Sequence, residues 1–383
     1  ALSADLGWLL ATAKPSKIAA WPLALRRATA SFGFAETTSN SIRDILLSPG
    51  ENYLLTGDLV SNNSSPPVSL WAASDVDADE KPILSLPVKG AFCCMLSVSD
   101  DEEPWQVVIG SHHSVNGSVV SELQLWNITG ATAVATLQAS YAVPNCKVLS
   151  LTWLAKSTAL IVGCSRKLTV LRIQGTSATT VLIAKLPPLV DVTKLVALDG
   201  HSFAFGSSRG DVCIGSTGGV HMDDSRCFYP GGRINSLQLS EDAKVLYSGS
   251  SSGSICQLFL DQIEKMNGSC FTQPDTWPEN EVLSLALLRE SNLLASSSAN
   301  GWLAVWDLND VASGNLEPVM KQQTSNYQAR IVAGADLTYY YVSGTLGMIQ
   351  AFFVNSIPMA VRRMRQSQLC QDAAAECSTD WVR

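Results

Sequence analysis

A short apolar strand that closes on an aromatic or branched residue recurs eight times along this chain. The closing residues are Trp21, Trp71, Trp126, Leu171, Ile214, Phe259, Trp306 and Phe352, so successive closures lie 50, 55, 45, 43, 45, 47 and 46 residues apart. A period in the mid-forties holds four strand-sized segments. A single sheet of that size cannot bury both its faces, and the stable solution is to stack copies of it around a ring. The spacing therefore predicts an all-β chain, a single β-propeller of four-stranded blades spanning residues 1–365. Residues 366–383 read as a C-terminal tail in which Gln366 to Cys377, with Ala373–Ala375, forms a short helix.

The unit around Trp306 is the clearest. Val282–Leu287 alternates as a half-buried strand does, Leu293–Ser298 follows a turn, and Asn300-Gly301 is a two-residue hairpin signal before Trp302–Trp306. Leu316 to Gln322 is expected to supply the fourth strand. Two further units share this grammar. One runs through Tyr53–Gly57 and Val68–Trp71, the other through Val245–Gly249 and Ser254–Phe259.

On these residues the chain resembles the WD-repeat family. Leu293–Ser298, then Asn300-Gly301, then Leu303-Ala-Val-Trp306-Asp307 carry the resemblance, and only Trp306 has the full Trp-Asp ending. Repeats of that family often join a His, a hairpin Asp, a Ser or Thr and the Trp in a hydrogen-bonded set. Here the one Gly-His, Gly200-His201, precedes a second strand, and Asn300 stands where the hairpin Asp would be. No complete set is expected, and apolar packing must hold the blades. Counting by third strands gives eight blades, favoured over seven. The first unit has only three strands, at Trp8–Ala13, Lys17–Trp21 and Arg26–Phe32. The segment around Thr379–Val382 is expected to supply its fourth and close the ring.

What the resemblance implies about function is a non-enzymatic scaffold or adaptor in a multiprotein assembly, with no cofactor. Composition and motifs are compatible with that. Charged residues are 16% of the chain and the net charge is −8, which argues against a globally basic nucleic-acid footprint. No phosphate-cradling glycine motif or nucleophile elbow occurs. Asp75-Val-Asp77-Ala-Asp79 begins like a calcium loop but has Glu80 and Leu86 where that loop needs Gly and Glu, so it reads as an acidic surface loop. Asp100–Glu103, which includes Asp101 and Glu102, reads likewise. His112-His113 lacks ligand-spaced partners.

Contact sites are expected where the repeat is stretched, because binding concentrates on loops borne by a rigid scaffold. Asp58–Pro67, with Asn62 and Asn63, and Ser111–Ser118, with His112 and His113, are expected to be loops between second and third strands. Ala72–Pro82, with Asp75, Asp77 and Asp79, and Ser99–Pro104 lie in the same two units. Trp277, held between prolines, is a candidate interface anchor. Arg362, Arg363 and Arg365 form the densest basic cluster. The rival readings are a peptide-recognition module working over the central channel, and an RNA-associated propeller using those arginines.

Ten cysteines are scattered without a CxxC pair, most of them inside strand patterns. They read as buried free thiols in a reducing, intracellular compartment. Five Asn-x-Ser/Thr sequences, at Asn62, Asn63, Asn116, Asn127 and Asn267, point the other way and are taken as chance. No run of eighteen apolar residues occurs, so no transmembrane helix is expected. The start, Ala1 to Leu10, does not read as a secretory signal.

Overall fold

A computed structural model of the chain describes four N-terminal strands and residues 42–353, apart from 51, 59–67, 73–81, 100–102, 116–117, 176, 188, 218, 221–226, 262–267, 273–280, 289–291, 324–329, 334–338 and 344–347. β1 (Leu2–Ser3), β2 (Trp8–Thr12) and β3 (Ile18–Pro22) form a three-stranded sheet, and β4 (Thr29–Gly33) follows. The first ring blade is β5 (Ile42–Leu47), β6 (Tyr53–Asp58), β7 (Val68–Ala72) and β8 (Leu84–Leu86). The second is β9 (Ala91–Ser97), β10 (Trp105–Val115), β11 (Ser118–Thr129) and β12 (Val134–Pro144). The third is β13 (Val148–Leu154), β14 (Ala159–Cys164), β15 (Lys167–Gln174) and β16 (Ser177–Lys185).

The next sheet has five strands. β17 (Val192–Ala197), β18 (Ser202–Ser207) and β19 (Val212–Ser216) are paired in order, and β20 (Gly219–Val220) and β21 (Cys227–Phe228) share the outer edge of β19. Then come β22 (Ile234–Leu239), β23 (Val245–Ser250), β24 (Ser254–Phe259) and β25 (Gly268–Thr272). β26 (Val282–Leu288), β27 (Leu293–Ser298), β28 (Trp302–Asp307) and β29 (Met320–Gln323) make another blade, with helix α1 (Leu308–Ala312) between its last two strands. The last blade is β30 (Arg330–Ala333), β31 (Tyr339–Ser343) and β32 (Met348–Phe353), completed by β4.

The first strands β5, β9, β13, β17, β22, β26 and β30 each pack beside the next, and β30 packs back onto β5. The chain is thus an all-β propeller of antiparallel blades. The expectation of eight four-stranded blades, or seven, is corrected: six sheets have four strands, and the remaining sector of the ring has five. The count went wrong at the N-terminus. Trp21 does close a strand, β3, but β3 belongs to the separate three-stranded sheet. β4 instead pairs with β32, Gly33 opposite Met348 and Thr29 opposite Phe352. The ring is therefore closed by an N-terminal strand laid on the last blade. The segment around Thr379–Val382 and the helix expected at Gln366–Cys377 lie outside the described residues.

The blades hold together through a repeated nesting. Gly57, Gly110, Gly163, Gly206 and Gly249 occupy one position of successive second strands. A Cβ on Gly163 would lie 2.6 Å from Val192 Cγ1, and one on Gly249 2.5 Å from Val282 Cγ1. Gly57, Gly163, Gly206 and Gly249 thus leave room for the buried Phe92, Val192, Ile234 and Val282 of the next blade, whereas Gly110 makes room for Cys93 and Cys94 of its own sheet. Serine hydroxyls add bonds across the same seam: Leu195 N donates to Ser150 Oγ at 3.0 Å, and Leu285 N to Ser236 Oγ at 2.9 Å.

Two blades make half of the polar set typical of WD repeats. Trp71 Nε1 donates to Thr56 Oγ1, and Trp306 Nε1 to Ser296 Oγ, each at 3.0 Å. Trp306 is wholly buried and meets Phe271 edge-on, with ring centroids 5.1 Å apart. Helix α1 displaces the expected fourth strand of that blade, which begins at Met320 rather than Leu316. Asp307 caps α1, its carboxylate accepting from Asn309 N at 3.0 Å.

Six cysteines are paired, which corrects the reading of them as free thiols. Cys146 bonds Cys164, Cys213 bonds Cys227 and Cys256 bonds Cys270. The last two bridges join directly opposed residues of neighbouring strands in consecutive sheets, each across 14 positions of sequence. The reducing compartment expected from unpaired cysteines thereby loses its basis. Among the described residues, Cys93 and Cys94 remain free, and both are buried. No described helix is long and apolar enough to cross a membrane.

Candidate functional site: the axial cavity

Six of the seven inner strands carry a bulge near their start. Arg43, Cys93, Leu149, Thr193, Asn235 and Leu283 are each skipped by the pairing register with the second strand. A bulge bends the strand and re-aims its side chains. Repeated around a ring, the bulges shape the wall of the central channel, which encloses a cavity of about 390 Å³.

The charges on that wall are mostly cationic. Arg43, Lys194, Arg233 and Arg330 line the cavity with one carboxylate, Asp44. The chain as a whole carries −8, so the channel opposes the global charge. Arg330 is held below its usual value first by burial and further by Arg43 and Arg233, while Asp44 and Glu281 act against this. An arginine so perturbed stays protonated at neutral pH. The three guanidiniums therefore feel one another in a partly dehydrated space. Arg330 donates Nη1 to Leu283 O, which anchors it to the wall. Asn235 donates Nδ2 to Glu281 Oε1 at 2.8 Å and to Val282 O at 2.9 Å, which fixes the wall beside it.

The two free thiols lie on the same wall. The Cys93 thiol is lowered to about 6, chiefly by the hydrogen bond from Cys94 against the opposing effect of burial, then by His112 and Arg43. Cys94 is pushed well above its ordinary value by Cys93 and by burial. Of the two sulfurs, Cys93 is therefore the one whose thiolate is favoured. His112 acts on Cys93 through a side-chain hydrogen bond and then through its charge, while its Nδ1 is buried without a partner.

Inner strands begin, and second strands end, on the same face of the ring. On that face Lys147, Arg166, Lys167 and Lys185 surround a groove of about 480 Å³ whose lining contains no carboxylate. Lys167 Nζ donates to Pro144 O at 2.8 Å, and burial lowers its pKa. The opposite face carries Asp199 and Asp242 in turns, Asp310 in α1 and Glu317 after it. Asp242 and Glu317 meet Lys244 and Lys321 there only in exposed ion pairs.

Most residues singled out from sequence lie elsewhere. Asn62, Asn63, Asp75, Asp77, Asp79, Asp101, Glu102, Trp277, Arg362, Arg363 and Arg365 fall outside the described residues. Asp58 ends β6 opposite Ile42. Ser111–Ser118 is corrected from a loop to a hairpin extension. β10 runs on to Val115 and β11 starts at Ser118, with His112 opposite Ser121 and His113 opposite Val120. Of the described sequence candidates, His112 is the one brought to the cavity wall, through Cys93.

Arg43, Arg233, Arg330 and the thiol pair were missed. Their signal was a charged or sulfur-bearing residue at the start of an otherwise apolar inner strand, recurring with the period of the repeat. Among the described residues, no group of three or more His, Cys, Asp or Glu is placed to hold a metal ion. The fold and this axis define the class as far as structure goes: a β-propeller whose described channel wall is mostly cationic. No protein-family model matches the chain, and neither does any curated protein.

Proposed function

We propose that this propeller is a non-enzymatic docking module of a multiprotein assembly, which takes an acidic segment of a partner protein at the mouth of its axial cavity. The observation that carries the reading is the cluster of Arg43, Arg233 and Arg330 in a channel wall that has one carboxylate, within an acidic chain. Preorganised cations in a low-dielectric cleft attract a carboxylate-rich ligand and discriminate against basic ones. The half-formed tryptophan–hydroxyl sets at Trp71 and Trp306 support reading the blades as diverged WD repeats. The scaffold role expected of such repeats joins the rival peptide-recognition reading at one place, the channel mouth.

The test is fluorescence anisotropy of a labelled ten-residue Glu/Asp-rich peptide with the full chain. Saturable binding is expected, weakened at least tenfold in the double variant Arg43→Glu/Arg233→Glu and absent for a Lys-rich peptide. Equal binding by the double variant rejects the axial site. Tighter binding of single-stranded RNA, lost on neutralising Lys147, Arg166, Lys167 and Lys185, moves the function to a nucleic-acid partner on the entry face.

A further inference from the structure

Cys93 and Cys94 are the described thiols left free in a chain that otherwise bridges its described cysteines. Adjacent strand residues normally point to opposite faces of a sheet. Here the register passes from Phe92 opposite Ser111 to Cys94 opposite Gly110, so Cys93 is the extra residue of a bulge. Both side chains consequently turn to one side. Their sulfurs lie 3.5 Å apart. A Cβ on Gly110 would stand 2.8 Å from Cys93 Sγ and 3.0 Å from Cys94 Sγ. The glycine opposite the bulge is what gives both sulfurs room. Both residues line the axial cavity, yet they are only 3% and 6% exposed. A reagent must therefore be small to reach them.

We propose that Cys93 and Cys94 form a redox-active dithiol whose oxidising substrate is a small hydroperoxide admitted to the axial cavity. The Cys93 thiolate attacks the peroxide oxygen, breaking the O–O bond. With hydrogen peroxide this gives Cys93 sulfenic acid and hydroxide. The Cys94 thiol then attacks the Cys93 sulfur, forming the S–S bond and releasing the sulfenic oxygen as water. Two electrons leave the dithiol and the peroxide is reduced to two waters. A small thiol that enters the same cavity returns the pair to the dithiol by two successive exchanges, being itself oxidised to its disulfide. Neighbouring Cα atoms are about 3.8 Å apart, closer than the ordinary span of a bridge, so the product is strained and open to re-reduction. His112 and Arg43 beside the nucleophile supply the positive surroundings that favour its thiolate. Among the described residues no group of three or more His, Cys, Asp or Glu is arranged to hold a metal ion, which favours two-sulfur chemistry here.

The test is made on the native full chain. The protein is treated with hydrogen peroxide at stoichiometric dose, its remaining thiols are blocked with N-ethylmaleimide, and the peptide carrying Cys93 and Cys94 is weighed. The expected product is two hydrogens lighter than the dithiol peptide, takes up no maleimide, and reverts with glutathione. Its rate of formation is expected to be level from pH 7 upward, whereas an unperturbed thiol gains about tenfold per pH unit up to about 8.5. Cys94→Ser should stop at a dimedone-reactive sulfenic acid on Cys93, and Cys93→Ser should be inert at the same dose. A peptide that takes up two maleimides after peroxide overturns the proposal. So does one that accumulates sulfinic acid with no disulfide. If a variant does not fold, the wild-type peptide still decides, because a pair that only fills the core reacts with maleimide in denaturant alone.

Discussion

Gly249 shows how single residues set the blade seams. With no side chain of its own, it lets Val282 of the next blade sit over the second strand, and Val282 is wholly buried there. Gly249→Ala places a methyl 2.5 Å from Val282 Cγ1, closer than carbon atoms approach. The expected cost is about 1–3 kcal/mol, read as a lower denaturant midpoint with unchanged slope. An unaltered midpoint would show that the seam can open freely. Asp199 works differently. Its carboxylate accepts from Ser202 Oγ at 2.6 Å, Ser202 N at 2.7 Å and His201 N at 2.6 Å, tying the turn before β18. The bond from Ser202 Oγ is the first cause of its lowered pKa. A carboxylate lowered on folding stabilises fully above its unfolded value of 3.8 and loses that contribution as pH falls through the lower folded value. Acid titration of Asp199→Asn should therefore show a shallower loss of stability below pH 3.8 than the parent. Parallel acid curves would show the turn to be indifferent to that charge.

At the scale of elements, two features secure the outer strands of the blades. β21 and β25 are short outer strands, each stapled to its neighbour by a directly opposed disulfide. A bridge spanning about 14 residues removes roughly 3 kcal/mol of chain entropy from the unfolded state. Cys256→Ala/Cys270→Ala is expected to melt several degrees lower than the parent in the absence of reductant. Adding dithiothreitol should shrink the gap between the two proteins, and a gap that reductant leaves untouched would exclude the bridge as its source. β4 closes the last blade by pairing along β32. Removing residues 1–27 keeps that strand, and removing 1–33 leaves β32 as an open edge, a template for association. Light scattering should stay monomeric for the first truncation and rise for the second. Equal behaviour would mean that β4 does not close the ring.

At the scale of the whole molecule, the fold gathers onto one channel wall cations that the sequence scatters. Arg43, Lys194, Arg233 and Arg330 stand near the starts of inner strands, at the end of the ring where the Lys147–Lys185 groove lies, while Asp199 and Asp242 lie in turns at the other. Association with an acidic partner should consequently slow as ionic strength rises, mostly through the on-rate measured by stopped flow. A salt-independent rate would place the contact away from this face.

How much of this was legible in the sequence follows from the range of each interaction. The period, the third strands closed by Trp71, Trp126 and Trp306, and the Asn300-Gly301 hairpin are local, since alternation and turn chemistry act within a few residues. The 14-residue Cys spacing, repeated at Cys213–Cys227 and Cys256–Cys270, was also visible and was read instead as buried thiols. Which strand closes the ring could not be read, because β4 and β32 pair across most of the chain, beyond the reach of local pattern. Nor could the axial cluster. Arg43, Cys93, Arg233 and Arg330 stand far apart in sequence and become neighbours only when the bulged inner strands meet around one axis. Sequence alone determined the repeating sheet, because each copy must bury its faces on another. The blade number, the disulfide pairing and the charge of the channel were decided by closure of the ring, which alone sets residues from distant repeats face to face.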